Sequence, residues 1–243
     1  MDLKTLLALN NGFADEIRHF IKCWQGQAET HTPPDYMAFS PTSLRRQLSH
    51  TVMFEMDAAG GIRFRLCGSE VERFFSRSLT NVHLSDLFHN IEEAEAINEL
   101  FALATIHGLG LIRITRRTID MEPNPICFAN VCLPMTHSRA MGGNLLLGLI
   151  FTSGQKPWTP EEHDPKNDDR KISDEWEGVT LINISTPYRD GLLSDKTKAF
   201  IQDQDIDFNT IHISDFQTLI DDHSQPQDAY AGFRRSLSNL ALT

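Results

Sequence analysis

The stretch IRFRLCGSEVERFFSRSLTNVHLSDLF, residues 62–88, decides the fold class of this chain. Ile62, Phe64 and Leu66 alternate with more polar positions, which predicts a strand with one buried face. The stretch then passes through Gly68 into short helical pieces. It contains no glycine-rich phosphate loop, no paired metal ligands and no recognisable nucleophile motif. A strand that leads directly into short helices predicts an ordered region used for architecture or binding rather than for chemistry.

The segments on either side complete the element order. A run of strand character, TVMFEMD, precedes the stretch and is joined to it by AAGG, which is a hairpin signal. A helix, IEEAEAINELFALATIHG, follows and is predicted to stop at Gly108. Because strands and helices do not alternate, a doubly wound fold is excluded and an α+β fold is predicted. Its five-stranded antiparallel sheet carries short helices over one face, and its last three strands are LIRITRRTI, ICFANVCLPM and LLLGLIFTS.

An amphipathic helix is predicted near the N-terminus. Its apolar stripe holds large side chains at helical spacing: Phe13, Ile17, Phe20, Ile21 and Trp24. The later strands are apolar on both faces, so the sheet face that carries Phe128 needs a cover. The helix can supply that cover across a homodimer or on its own sheet. We expect the homodimer, with these residues and Phe128 in the contact.

The charge distribution indicates a boundary near residue 154. Residues 1–150 carry 13 Lys and Arg against 16 Asp and Glu, whereas residues 151–243 carry 9 against 17. We therefore divide the chain into an N-terminal helix and connector (1–50), a core (51–154), and an acidic linker with a C-terminal helical extension (155–243). Two amphipathic segments of the extension, SDFQTLIDDH and AYAGFRRSLSNLAL, are expected to dock on the core or its symmetry mate; the alternative is a tail that folds onto a signalling partner.

Composition excludes several classes of function. The net charge of −11 disfavours nucleic acid as a partner. The longest apolar run, GGNLLLGLIF, is too short to cross a bilayer, and no cleavable signal layout precedes it, so we expect a cytoplasmic protein without membrane insertion. The four cysteines form no CxxC pair, which gives no support to a disulfide framework or a zinc site. No metal-binding residues are predicted.

The order of elements resembles that of a PAS domain. Within that class the chain is similar to a bacterial single-PAS family with a leading Trp-bearing helix, a proline connector and a strand of the form FRYRLVG before a GRDLTG segment. The matching positions, over residues ~10–152, are Trp24, Pro34, Pro41, Phe64, Arg65, Leu66, Gly68, Arg77, Leu79, Thr80 and Leu84. Ser76 and Asn81 stand where the family often has glycine, and Asn81 tolerates a left-handed conformation. The resemblance implies a non-enzymatic sensory or regulatory role.

The same resemblance implies a small cavity between the sheet and its helices. If Ile112 and Ile114 face that cavity, the period of two places Arg116 there as well, where it can hold an anionic ligand. The predicted ligand site adds Phe64 and Leu66 to these three. The alternative is that the strand has left the core before Arg116.

Cofactor binding and catalysis have little support in the sequence. The chain has no motif similar to the GxNCRFLQ motif of photosensory flavin domains, and His89 and His107 have no supporting haem pattern, so neither cofactor is expected. No catalytic spacing is present, and no catalytic residue is predicted. Two alternatives stay open: a small α+β enzyme with a buried cavity, and an interaction module without a ligand.

Overall fold

One sheet separates two layers of helices. The structure, a computed structural model, describes residues 11–27, 33–37, 39–75, 77–88, 90–119, 126–137, 145–153, 172–184, 188–189 and 191–223. The helices are α1 (Asn11–Gln25), α2 (Ser69–Phe74), α3 (Ile91–His107), α4 (Asp195–Asp203) and α5 (Ile213–His223). The strands are β1 (Thr51–Met56), β2 (Ile62–Cys67), β3 (Gly110–Ile119), β4 (Ile126–Met135), β5 (Leu145–Ser153), β6 (Ile172–Asn183) and β7 (Asp207–His212).

The sheet corrects the predicted strand count. Its order is β2-β1-β5-β4-β3-β6-β7, and every neighbouring pair is antiparallel except the parallel pair β6–β7. The α+β class is confirmed, but the sheet is mixed and has seven strands in the described residues rather than five. β6 and β7 lie in the predicted helical and linker extension. They were missed because β6, ISDEWEGVTLIN, has the acidic composition of a linker and becomes a strand by pairing along β3.

A β-bulge in β2 corrects the prediction for Leu66. Met53 pairs with Leu66 and Phe54 pairs with Phe64, so Arg65 is an extra residue in the ladder. The bulge breaks the alternation: Phe64 is buried, whereas Leu66 is 44% exposed. Leu66 therefore does not share the buried face of Phe64.

The two faces of the sheet are both covered within this chain. The face under α1 and α5, here the α1 face, buries Phe20 and Trp24 against β3, β4 and β5. The face under α2, α3 and α4, here the α3 face, contains the Phe54, Phe64 and Phe101 rings in mutual contact. The N-terminal helix thus packs on its own sheet, which is the alternative that the sequence left open.

Local backbone signals hold the ends of the elements in place. The Asn90 side chain accepts a hydrogen bond from the Glu92 N–H at 2.8 Å and caps α3. Gly108, at φ +63°, ends α3 in a left-handed conformation, as predicted. Asn81, one of the two residues that stand where the family often has glycine, has a left-handed φ of +67°. Ser76, the other position, lies outside the described residues.

The extension is built onto the core through both helix layers. Parallel strands require a crossover, and α4 supplies it between β6 and β7 on the α3 face. α5 then lies on the α1 face, where Phe216 and Ile220 are buried. The Arg18 Nε and Asp221 Oδ1 atoms are 2.7 Å apart and join α1 to α5. The expectation that SDFQTLIDDH docks on the core is confirmed, while AYAGFRRSLSNLAL and residues 155–171 lie outside the described residues.

One carboxylate fixes α4 to α3. Glu99 accepts hydrogen bonds from the Ser194 N–H at 2.5 Å, from the Ser194 hydroxyl at 2.6 Å and from the Thr197 hydroxyl. Ser194 is also the N-cap of α4, so Glu99 binds the start of that helix. Burial alone would raise the pKa of Glu99, but the hydrogen bonds from Ser194 and Thr197, with the charge of Lys198, lower it below its usual value.

Glu99→Gln is expected to lower the free energy of unfolding by about 1–2 kcal/mol at neutral pH, because the amide accepts fewer and weaker hydrogen bonds. Since the folded-state pKa is lowered, the stabilisation is complete above the usual glutamate range and is lost as the pH falls through the folded-state value. Urea unfolding across the acid range measures both effects. The matched control is Glu95→Gln, which removes an exposed pair with Lys196 and is expected to leave the free energy of unfolding nearly unchanged. Equal losses in the two variants would contradict the role of Glu99.

Candidate functional site

A second β-bulge turns Trp176 into the protein. Ile114 pairs with Gly178 and Thr115 pairs with Trp176, so Glu177 is the extra residue of β6. Val179 and Trp176 are three residues apart, yet both lie in the cluster on the α3 face. Regular alternation would place them on opposite faces. The bulge is therefore what points the Trp176 indole towards α3.

The Trp176 side chain makes specific contacts there. It is 7% exposed, and its Nε1–H donates a hydrogen bond to Glu93 Oε1 of α3 at 2.5 Å. Its ring makes T-shaped contacts with Phe88 and Phe200, with 6.5 Å and 5.4 Å between the ring centroids. Edge-to-face pairs at these distances are favourable. Trp176 thus joins β6 to the segment before α3, to α3 itself and to α4.

A buried cation lies beside the indole. Arg113 of β3 is 6% exposed, and its guanidinium carbon lies 5.3 Å from the Trp176 ring centroid and 5.4 Å from that of Phe88. These distances place the charge in cation–π contact with both rings. We call Phe88, Glu93, Arg113, Thr115 and Trp176 the Trp176 site.

Other polar side chains lie next to Arg113 in the sheet. Asn130 of β4 pairs with it, and the Cys132 thiol donates to Asn130 Oδ1 at 3.1 Å. Burial raises the pKa of the Cys132 thiol, and the nearby charge of Arg113 offsets only part of that rise. The thiol is therefore protonated and unreactive at neutral pH. Thr115, two residues after Arg113, is buried, and its hydroxyl makes no hydrogen bond within the described residues.

A cavity of about 490 Å³ opens over Trp176. Trp176 and Phe200 give it an aromatic wall, and four carboxylates line it: Glu93, Glu175, Glu177 and Asp205. Arg116 also lines it but is paired with Glu175 at 2.8 Å and with Glu177 at 2.7 Å. The cavity is negatively charged as a whole, because the carboxylates outnumber the arginine.

A larger groove of about 710 Å³ lies between the β1–β2 hairpin and α3. Two of its polar side chains, Asp57 and Asn98, hold the hairpin. Asp57 accepts from the Ala59 and Gly61 N–H groups, and Asn98 accepts from the Ile62 N–H at 2.9 Å. Hydrogen bonds from Gly61 and Ala59 and the charge of His83 lower the pKa of Asp57. The Trp176 site is the stronger candidate because two of its polar side chains, Arg113 and Thr115, are buried.

The predicted ligand residues do not meet in the structure. Ile112 and Ile114 lie on the α1 face, against the cluster that contains α1. Phe64 lies on the α3 face, and Leu66 is exposed. Arg116 is 44% exposed and held by the two carboxylates of β6, so the alternative that β3 leaves the core before Arg116 describes it better. The sequence prediction placed the ligand on the face of β3 that carries Ile112 and Ile114. The buried cation of this strand is Arg113, on the opposite face, and not Arg116.

The predicted interaction residues are buried in their own chain. Ile17, Phe20, Ile21 and Trp24 are each 3% exposed or less, and Trp24 Nε1–H donates to the Pro134 carbonyl at 2.8 Å. Their stripe is therefore not free to contact a second copy while α1 stays in place. The side chains of Phe13 and Phe128 lie outside those that the structure describes.

Sequence reasoning missed Arg113 and Trp176. Arg113 could have been found, because Leu111, Ile112 and Ile114 around it indicate a strand buried on both faces. Trp176 carried no such signal, since its inward position depends on the bulge. Within the described residues, no three His, Cys, Asp or Glu side chains gather as metal ligands, and no helix is long and apolar enough to cross a membrane. His107 ends α3, and His89 lies outside the described residues.

Comparison with known families agrees with this architecture. No curated protein and no solved structure matches the chain significantly. A family model described as a PAS domain matches residues 14–150, which span most of α1 and of β5 and every element between them. PAS domains are typically sensory and non-enzymatic. Since the match covers more than half of the 243 residues, the chain belongs to the PAS domain family.

Proposed function

We propose that this protein is a non-enzymatic sensory or regulatory PAS protein that transmits its state through protein contacts. In this proposal the Trp176 site links the PAS core to β6, α4, β7 and α5. One observation carries it: Trp176 lies outside the matched residues 14–150, yet it fills a site made by Phe88, Glu93 and Arg113 within them. A contact of this kind can couple the packing of the core to that of the extension.

The connections of β6 support the direction of the coupling. β6 pairs with β3 of the core and with β7 of the extension. Phe200 of α4 contacts the Trp176 ring, and α5 follows β7 and is joined to α1 by the Arg18–Asp221 pair. A shift of Trp176 would therefore change the support of α4 on one face and of β7 at the sheet edge. Partners that contact α4, β7 or α5 can read that shift.

The wider expectations from the sequence belong to this proposal. It places the protein in a bacterial cytoplasm and includes a homodimer, whose contact lies away from the apolar stripe of α1. Light scattering of the purified protein tests the oligomeric state. The Cys132 thiol, whose pKa burial raises, is suited to packing rather than to catalysis.

Trp176→Ala tests the coupling. The loss of the indole is expected to cost about 3 kcal/mol and to raise amide hydrogen exchange in residues 91–97, 195–203 and 207–212 together. Trp176→Phe keeps a ring but removes the hydrogen bond to Glu93, so a smaller rise centred on α3 is expected. The β1–β2 hairpin serves as the internal reference, because three strands separate it from β6 in the sheet. A rise confined to β6 in Trp176→Ala would refute the proposed coupling.

A further inference from the structure

We propose that the Trp176 site binds a planar heteroaromatic molecule that carries a ring N–H, and that Trp176 occupies the site in this structure as an internal ligand. The inference rests on the proposed function, since it names the molecule that would change the state of the site. The ligand class follows from the groups that already hold the indole.

Three groups define what the site recognises. The Arg113 guanidinium carbon lies 5.3 Å from the indole centroid, which favours an electron-rich planar ring. The Glu93 carboxylate accepts the ring N–H at 2.5 Å, which selects a donor in the plane of that ring. The Phe88 ring lies beside the indole, with 6.5 Å between the ring centroids, and bounds the site on that side. These positions come from β3, α3 and the segment before α3, so the core alone provides them.

The Thr115 hydroxyl distinguishes a free ligand from Trp176. Thr115 pairs with Trp176 across the two strands, is 1% exposed and makes no hydrogen bond within the described residues. The indole of Trp176 has only one polar atom, and Glu93 uses it. A ring with a second polar substituent can bond to Thr115 as well, and so satisfy a group that Trp176 leaves buried without a hydrogen bond.

The cavity of about 490 Å³ over Trp176 gives such a molecule access to the site, and the charge of its lining determines which ligand charge is favoured. Its volume is in the range of small-molecule sites. Glu175, Glu177 and Asp205 line it, and Arg116 is already paired with two of these carboxylates. The lining therefore favours neutral or cationic rings over anionic ones.

Displacement of Trp176 is favoured by its position in β6. β7 pairs only with residues 178–183 of that strand, so among the described residues the part before the bulge is hydrogen-bonded in the sheet to β3 alone. A one-sided strand segment can open without breaking the β6–β7 ladder. Because the site must open before a ligand can enter, the apparent affinity of the wild type for a ligand is lower than the intrinsic affinity of the open site.

Matched ring compounds test the inference by calorimetry and saturation-transfer NMR. Indole and benzofuran have the same shape but differ in the ring N–H, and tryptamine and indole-3-acetate differ in charge. In Trp176→Gly, which removes the internal ligand, indole is expected to bind about tenfold more tightly than benzofuran. Glu93→Ala in the same background should abolish that preference. Indole at ten times its Kd should also raise the Tm of Trp176→Gly by about 4 °C.

The wild type decides whether the site binds free ligands. Tryptamine is expected to bind saturably, more weakly than to Trp176→Gly, and to raise hydrogen exchange in residues 172–177, whereas indole-3-acetate is expected to bind less. If the glycine variant does not fold, the role of the Glu93 carboxylate is tested without it. Tryptamine binding to the wild type is then compared with tryptamine binding to Glu93→Ala, which is expected to be weaker. Equal binding of indole and benzofuran, or no saturable binding by the wild type, would overturn the inference. Failure here together with coupled exchange in Trp176→Ala would leave the proposed function standing.

Discussion

Phe20→Ala is expected to lower the free energy of unfolding by about 3–5 kcal/mol, and the double variant with Trp24→Ala by more. Phe20 is fully buried between α1 and the sheet, so its loss leaves a cavity in the α1 face. Trp24→Ala removes a large side chain and leaves the Pro134 carbonyl without the indole N–H that bonds to it at 2.8 Å. Urea unfolding followed by circular dichroism measures the loss.

Lys22→Ala is the matched control, because Lys22 is exposed on the same helix and its loss is expected to cost about 0.5 kcal/mol or less. Light scattering of the same samples separates packing from assembly. The structure predicts that folded Phe20→Ala keeps the oligomeric state of the wild type. A stable Phe20→Ala that becomes monomeric would instead restore the contact between copies that the sequence suggested.

Gly68→Ala is expected to destabilise the protein by about 3 kcal/mol or more. Gly68 joins β2 to α2, and a Cβ added to it would lie 2.4 Å from the carbonyl oxygens of Leu48 and Ser49. These are backbone atoms that lead directly into β1, so they cannot move without disturbing the β1 pairs. Thermal and urea unfolding of the variant measure the effect.

Gly108→Ala is the matched control for this prediction. Gly108 has φ +63°, but an added Cβ would meet no atom within 4 Å, so its expected cost of about 1 kcal/mol comes from backbone conformation alone. A loss at Gly68 no larger than that at Gly108 would show that the Leu48–Ser49 backbone yields easily. The comparison separates steric exclusion from conformational preference.

Local sequence patterns were sufficient where the structure depends on near neighbours. The hairpin before Ile62 and the stop of α3 at Gly108 were predicted from residues within a few positions. The apolar stripe of α1 was also readable, because helical spacing identifies the buried side of a helix. It could not identify which sheet that side covers, because an apolar surface has no preference between its own chain and a copy.

The positions of Leu66 and Trp176 could not be predicted from local patterns, because a β-bulge decides each of them. The bulge at Arg65 exposes Leu66, and the bulge at Glu177 turns Trp176 inward. A bulge is a property of a strand pair, since it exists only relative to the register of the neighbouring strand. The choice between Arg113 and Arg116 has the same cause, because a shift of one residue exchanges the two faces of a strand.

The family, the α+β class and strands β1–β5 follow from the order and period of local sequence patterns. Long-range contacts make the acidic segment from Ile172 a strand and place Trp176 against Arg113. The physical reason is that β6 gains its hydrogen bonds from β3, and Trp176 gains its partners from β3, α3 and α4. Interactions between residues that lie tens of positions apart in the chain leave no periodic mark on either segment.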